Sequence, residues 1–227
     1  MNHGGRESVE VFTVDTTAGR PAATWIGCVV MPKGVWGNGV VALPDGGFAV
    51  TKFFDPASRN TFADGGDVRV WRPSAGWSTV QGSELMAPNG IELSPDGKNL
   101  YVAVYADRSI VSVPLQGGAV TRVADVPFLP DNLRWTEAGT LLVTGQDFTD
   151  GPSIIRCLRE GTGCPPGFNI VEIDPVAKSA TSIFQTDTRE FGFATVAAPV
   201  GDEVWVGTLQ HDRIARVGGL PLKRKGG

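Results

Sequence analysis

The chain of 227 residues carries 20 Lys and Arg against 24 Asp and Glu, for a formal net charge of −4, with 41% hydrophobic and 19% charged residues. Such a chain can bury a sizeable core and has no basic face for a phosphate backbone, so disorder and nucleic-acid binding are set aside. Its 30 Gly and 16 Pro, without a collagen-like period, point to many short elements joined by tight turns and therefore to an all-β fold.

The first element in chain order is the strand "VEVFTVD" from Val9, preceded by Asn2 and His3. Next comes "NGVVALPDGGFAVTKF" from Asn38, in which an alternating apolar strand, a Pro-Asp-Gly turn and a second apolar strand make a hairpin. The same pattern returns as "NGIELSPDGKNLYVAVY" from Asn89, "NLRWTEAGTLLVTGQD" from Asn132 and "TVAAPVGDEVWVGTLQ" from Thr195. Shorter strands such as "GDVRVWRP", "SIVSVPL" and "NIVEIDP" lie between the copies, each bounded by Gly, Pro or Asp. No 3.6-residue stripe persists, so no long helix is expected.

Successive copies begin 51, 43 and 63 residues apart, and the longest gap holds Cys157 and Cys164 in "CLREGTGCPP". About four strands per roughly 40–50 residues is the signature of propeller blades. The chain therefore reads as a single β-propeller domain over residues 1–227, covering about four to five blades. Cys157 and Cys164 can close a small disulfide loop or remain thiols, and the odd count with no CxxC spacing argues against zinc. No window approaches the roughly 18 apolar residues of a membrane span, and the "LKRKGG" end reads as a frayed tail. No membrane partner is expected.

The polar residues that open the repeats carry the functional signal. Asn38, Asn89 and the pair Asp131 and Asn132 stand at matching places at the start of the hairpins' first strands. In a propeller that strand lines the axis, so equivalent positions converge. Three amides and one carboxylate suit a hard cation such as calcium, which accepts neutral oxygens together with carboxylates. Taken singly, each is an ordinary turn residue; three at one repeat phase favour a site.

The ordered series "GNGV", "PNGI", "PDN" and "GTLQH", with "SPDGKNLYVAVY", resembles the six-bladed, calcium-dependent propellers of the paraoxonase arylesterases and lactonases and the related SMP-30/gluconolactonase/LRE-like proteins. The resemblance runs over nearly the whole chain. It implies that Asn38, Asn89, Asp131 and Asn132 hold a catalytic Ca2+. It also sets Asn2 and His3 opposite the family's Val-Asn-His segment, which makes His3 one of two catalytic histidines, one that orients or relays the proton during attack of water on a lactone or aryl ester.

The departures matter as well. The family's glutamate ligand and its other histidine precede the segment matched by Asn2 and His3, so the first blade and part of another are expected to be missing, through a wrongly chosen start at Met1, the favoured reading, or a truncated product. Gly39 stands where paraoxonases place an aspartate for a second calcium, and Phe54 replaces a polar rim. His211 is expected at a strand end in a structural role. Trp36 and Phe148, near the inner-strand ends, are candidate walls for an apolar pocket. The alternative to a lactone or ester hydrolase is a propeller that binds a ligand or protein without turnover.

Overall fold

Seventeen strands in four sheets and one hairpin make up the residues described by the computed structural model, namely 1–55, 65–148, 157 and 167–223. The hairpin pairs β1 (Ser8–Asp15) with β2 (Ala22–Val30). Blade I runs β3 (Trp36–Ala42), β4 (Phe48–Phe54), β5 (Asp67–Arg72) and β6 (Gly76–Thr79). Blade II runs β7 (Pro88–Leu93), β8 (Asn99–Val104), β9 (Ser109–Pro114) and β10 (Thr121–Asp125). Blade III is β11 (Leu129–Trp135), β12 (Leu141–Gln146), β13 (Phe168–Asp174) and β14 (Ser179–Thr186), and blade IV is β15 (Ala194–Val200), β16 (Glu203–Thr208) and β17 (Ala215–Gly218). Every strand pairs antiparallel with its chain neighbour, the meander that defines a propeller blade. The architecture is the all-β propeller expected from the repeat, four blades and a fifth partial sheet.

Period-2 alternation gives each middle strand two apolar faces, because a blade is covered on both sides by its neighbours. Leu100, Val102 and Val104 of β8 pack toward blade I with Val68, Val70 and Ile91, whereas Ala103 between them packs toward blade III with Phe128, Leu133 and Val143. Leu142 of β12 turns the other way, onto Ile170, Ala197 and Val206 at the boundary of blades III and IV. All six residues of β12 are buried, while β14 at the rim is mostly exposed. The hairpin packs Val9 and Met31 against Phe48 and Val50 of blade I, and much of its remaining apolar surface, including Phe12 and Trp25, is open.

The hairpin turns are tied by aspartates. Asp45 Oδ1 accepts the Gly47 N–H at 3.0 Å, and Asp96 Oδ1 accepts the Lys98 N–H at 3.1 Å and the Ser94 hydroxyl at 2.6 Å. Both carboxyls are held below the ordinary range, chiefly by the Gly47 amide for Asp45 and the Ser94 hydroxyl for Asp96. These turns fix the strand register on which the inner edge depends.

Candidate functional site

The inner strands β3, β7 and β11 share one irregularity. In β3 the pairing passes from Gly37 with Lys52 to Val40 with Val50, so Asn38 and Gly39 together oppose Thr51. Asn89 and Gly90 oppose Ala103 in the same way, and Asp131 and Asn132 oppose Thr144. Each is a β-bulge of two residues against one, a device that bends a strand and re-aims its side chains. In β15 the register slips by a single residue, at Thr195. The bulges refine the sequence alignment: Asp131 is the true counterpart of Asn38 and Asn89, and Asn132 stands where blades I and II have glycine.

The bulges touch one another around the axis. A Cβ on Gly39 would lie 2.6 Å from the Asn89 carbonyl oxygen, and one on Gly90 would lie 2.6 Å from the Asp131 carbonyl oxygen and from the Asn132 Cα. Backbone meets backbone at both places, which leaves no room for a side chain. Gly39 therefore excludes an aspartate in its present setting. Thr51, fully buried, seals the first contact: its hydroxyl accepts the Gly39 N–H at 2.8 Å and donates to the Asn89 carbonyl at 2.5 Å. At the third boundary the Asn132 amide donates to the Thr195 carbonyl at 3.0 Å.

The side chains of the set differ in their partners. Asn89 is only 4% exposed, and its Oδ1 is a buried acceptor without a hydrogen bond. An orphaned carbonyl oxygen of this kind calls for a partner, a water or a cation, because leaving it bare costs about 1–3 kcal/mol. Asp131 receives the Asn132 amide on Oδ1 at 2.7 Å and the Gln146 amide on Oδ2 at 3.1 Å. Asp131 keeps part of its surface accessible, but protein surrounds its carboxyl. Burial pushes it up to about 7, against the Gln146 hydrogen bond, which lowers it. The Oδ1 of Asn132 faces the second bulge, 3.2 Å from where a Gly90 Cβ would be. Asn38 is half-buried and its side chain makes no hydrogen bond among the described residues. These donors are all oxygens, and no cluster of three or more His, Cys, Asp or Glu suited to a metal occurs among the described residues.

Above the set lies an apolar cluster of Ala87, Tyr105, Phe148, Cys157 and Phe193, with Phe53 and Leu129 against it. Ala87 and Phe193 each adopt a positive φ, 52° and 51°, two residues before Asn89 and Thr195. Such backbone strain is held only where surrounding structure enforces it, often at a functional site. Phe148 is buried within this cluster, edge to face against Phe193. Cys157 is disulfide-bonded, while Cys164 and the end of the chain beyond Lys223 lie outside the described residues. Cys28 is free.

His3 makes no hydrogen bond to the oxygen set among the described residues. Its Nδ1 hydrogen-bonds Glu7 Oε1 at 2.8 Å, and Glu7 Oε2 accepts the Gly37 N–H at 3.3 Å, one residue before Asn38. Its ring meets that of Trp36 at a tilt of 49° with centroids 5.9 Å apart, and Trp36 lines a cleft of about 280 Å3 together with Glu7, Met31 and Val35. From Trp36 a run of aromatic contacts passes through Phe54 and Phe53 to Tyr105. His211 follows β16 in blade IV, where its Nε2 accepts the Gly192 N–H and its ring stacks on Phe191.

Several solved structures share this architecture. A luciferin-regenerating enzyme superposes with a TM-score of 0.61 at 18% identity, over 96% of this chain and 73% of its own. The chain shares the β-propeller fold of the luciferin-regenerating enzyme and of gluconolactonases. A gluconolactonase from Xanthomonas campestris matches at a TM-score of 0.55 and 18% identity over 91% of this propeller and 64% of its own chain. A catalytically inactive virginiamycin B lyase from Staphylococcus aureus, solved with quinupristin, matches at 0.56 and 15% identity over 96% and 69%. No protein-family model and no curated protein matches the sequence.

The residues that sequence reasoning missed are Gln146, Tyr105 and Glu7. A signal for the first two exists in the repeat. Counting two residues on from the residue opposite each bulge gives Phe53, Tyr105, Gln146 and Leu209. Gln146 is the one amide in an otherwise apolar or aromatic column.

Proposed function

We propose that this propeller is a calcium-dependent hydrolase of lactones or aryl esters. The observation that carries the reading is the buried, unpartnered Asn89 Oδ1 at the same bulge phase as the Asp131 carboxylate. Amide oxygens from Asn38, Asn89 and Asn132 with the Asp131 carboxylate fit a hard cation that takes neutral and charged oxygens in a flexible shell. Calcium bound there would supply positive charge for the oxyanion that develops on an ester or lactone carbonyl.

The chain's own residues would do the rest. Gln146 and Asn132 fix both oxygens of the Asp131 carboxylate. The Phe53, Phe54 and Trp36 run offers an apolar wall for the substrate's ring and keeps bulk water from the oxygen set. His3, held through Nδ1 by Glu7, keeps Nε2 available to orient or relay a proton. Gluconolactonases among the similar folds support lactones as the substrate class, while a lyase on the same scaffold means that the site, not the fold, must choose the reaction.

A second reading, a propeller that binds without turnover, is favoured by one observation: His3 has its hydrogen bond with Glu7 and none with the oxygen set. Calorimetric calcium titration after chelation, beside an Asp131→Ala variant, tests the first step. One-site binding that the variant loses supports the metal reading, and lactone and aryl-ester assays with and without calcium then separate hydrolase from binder. A folded chain that takes up no calcium overturns the proposal.

A further inference from the structure

Gln146 is 1% exposed, at a place where blades I and IV carry Phe53 and Leu209. A buried amide costs free energy unless all its groups find partners, and here they do. Its Nε2 donates to Asp131 Oδ2 at 3.1 Å and to the Ala194 carbonyl of β15, and its Oε1 accepts the Tyr105 hydroxyl at 2.8 Å. The Ala194 carbonyl can only accept, as does the ionised Asp131 carboxylate, so the Nε2 must face them and Oε1 must face Tyr105. That leaves the Tyr105 hydroxyl as donor, and the network has a single polarity. Burial pushes the Tyr105 hydroxyl well above the ordinary tyrosine range, which keeps its proton in place.

We infer that Tyr105 and Gln146 are positioning residues for Asp131, a relay from blade II through blade III that orients the carboxylate for cation binding while Ala194 pins the relay to blade IV. The inference rests on the calcium reading above and adds two residues to it. With Oδ1 held by Asn132 and Oδ2 by Gln146, the carboxylate cannot swing toward the apolar roof, and its remaining lone pairs keep one direction. Without the Tyr105 hydroxyl, Oε1 loses its donor and the Gln146 amide is anchored only through Nε2, so its position against Asp131 is no longer fixed from both ends. Outer partners of this sort typically change metal affinity by about 10–100-fold when removed.

The alternative is a clip that only fastens blade III to blade IV, and two measurements on the full chain separate them. Calcium affinity is measured by calorimetry, and thermal unfolding is followed in excess chelator, for the parent, Tyr105→Phe and Gln146→Leu. The expected result is about a tenfold loss of calcium affinity for Tyr105→Phe, and about a hundredfold for Gln146→Leu, in chains that remain folded in excess chelator. Tyr105→Phe changes one atom, so it decides the matter even if Gln146→Leu does not fold. Parent-like calcium affinity in folded variants, whatever their thermal stability, overturns the positioning role and leaves the calcium reading intact. A parent that binds no calcium overturns both.

Discussion

The Cα of Gly90 lies so close to blade III that a Cβ on it would sit 2.6 Å from the Asp131 carbonyl oxygen. This is the contact that brings the Asn89 bulge against the Asp131 bulge, and it depends on a residue with no side chain. Gly90→Ala must push the two inner strands apart against backbone atoms that cannot yield, an overpacking cost of about 1–3 kcal/mol or more. The expected outcome is a lower urea midpoint and weaker calcium binding in the same variant, read by denaturation and calorimetry. Unchanged values for both would mean that the blades do not meet there.

Asp131 makes the metal-free protein sensitive to pH in a defined direction. Its carboxyl titrates near 7 in the folded chain, raised by burial from an ordinary 3.8. A raised carboxyl favours the folded state most below the unfolded value, and that contribution is lost as pH rises through the folded one. The metal-free parent should therefore lose stability relative to Asp131→Asn between about pH 4 and about pH 7. Asp45 and Asp96 act in the opposite sense, since their lowered carboxyls stabilise above the ordinary range and fail in acid. Comparing parent and variant cancels them. A difference that does not change with pH would remove Asp131 from this role.

Thr51 holds the first bulge pair together through one hydroxyl that both accepts and donates. Thr51→Val keeps the volume and strands two buried backbone groups, the Gly39 N–H and the Asn89 carbonyl. The expected loss is about 1–3 kcal/mol, measured by chemical denaturation. Thr51→Ser, which keeps the hydroxyl, should recover most of it.

His3 is expected to matter for turnover and not for metal uptake, because its hydrogen bond runs to Glu7 and its ring rests on Trp36. His3→Gln should lower kcat on a lactone or aryl ester by about a hundredfold or more at unchanged calcium affinity. Equal kcat in the variant would leave His3 a rim residue.

The hairpins, their order and their association into blades were legible from the chain, because alternation and Pro-Asp-Gly turns act within about ten residues. So was the polar column of Asn38, Asn89 and Asp131, since a repeat carries phase information even when its contacts are distant. The phase was blurred at Asn132, which the hairpin pattern grouped with Asn38 and Asn89 and the bulge pairing places with Gly39 and Gly90. Only tertiary structure decides that matter, because a bulge is a relation between two paired strands and has no signature in one. The Tyr105 to Gln146 link and the Gln146 bond to the Ala194 carbonyl join residues 41 and 48 apart, in directions set by the twist between blades. In the chain itself, Gln146 is a polar residue closing an apolar strand; the burial that gives its amide a direction exists only once three blades surround it.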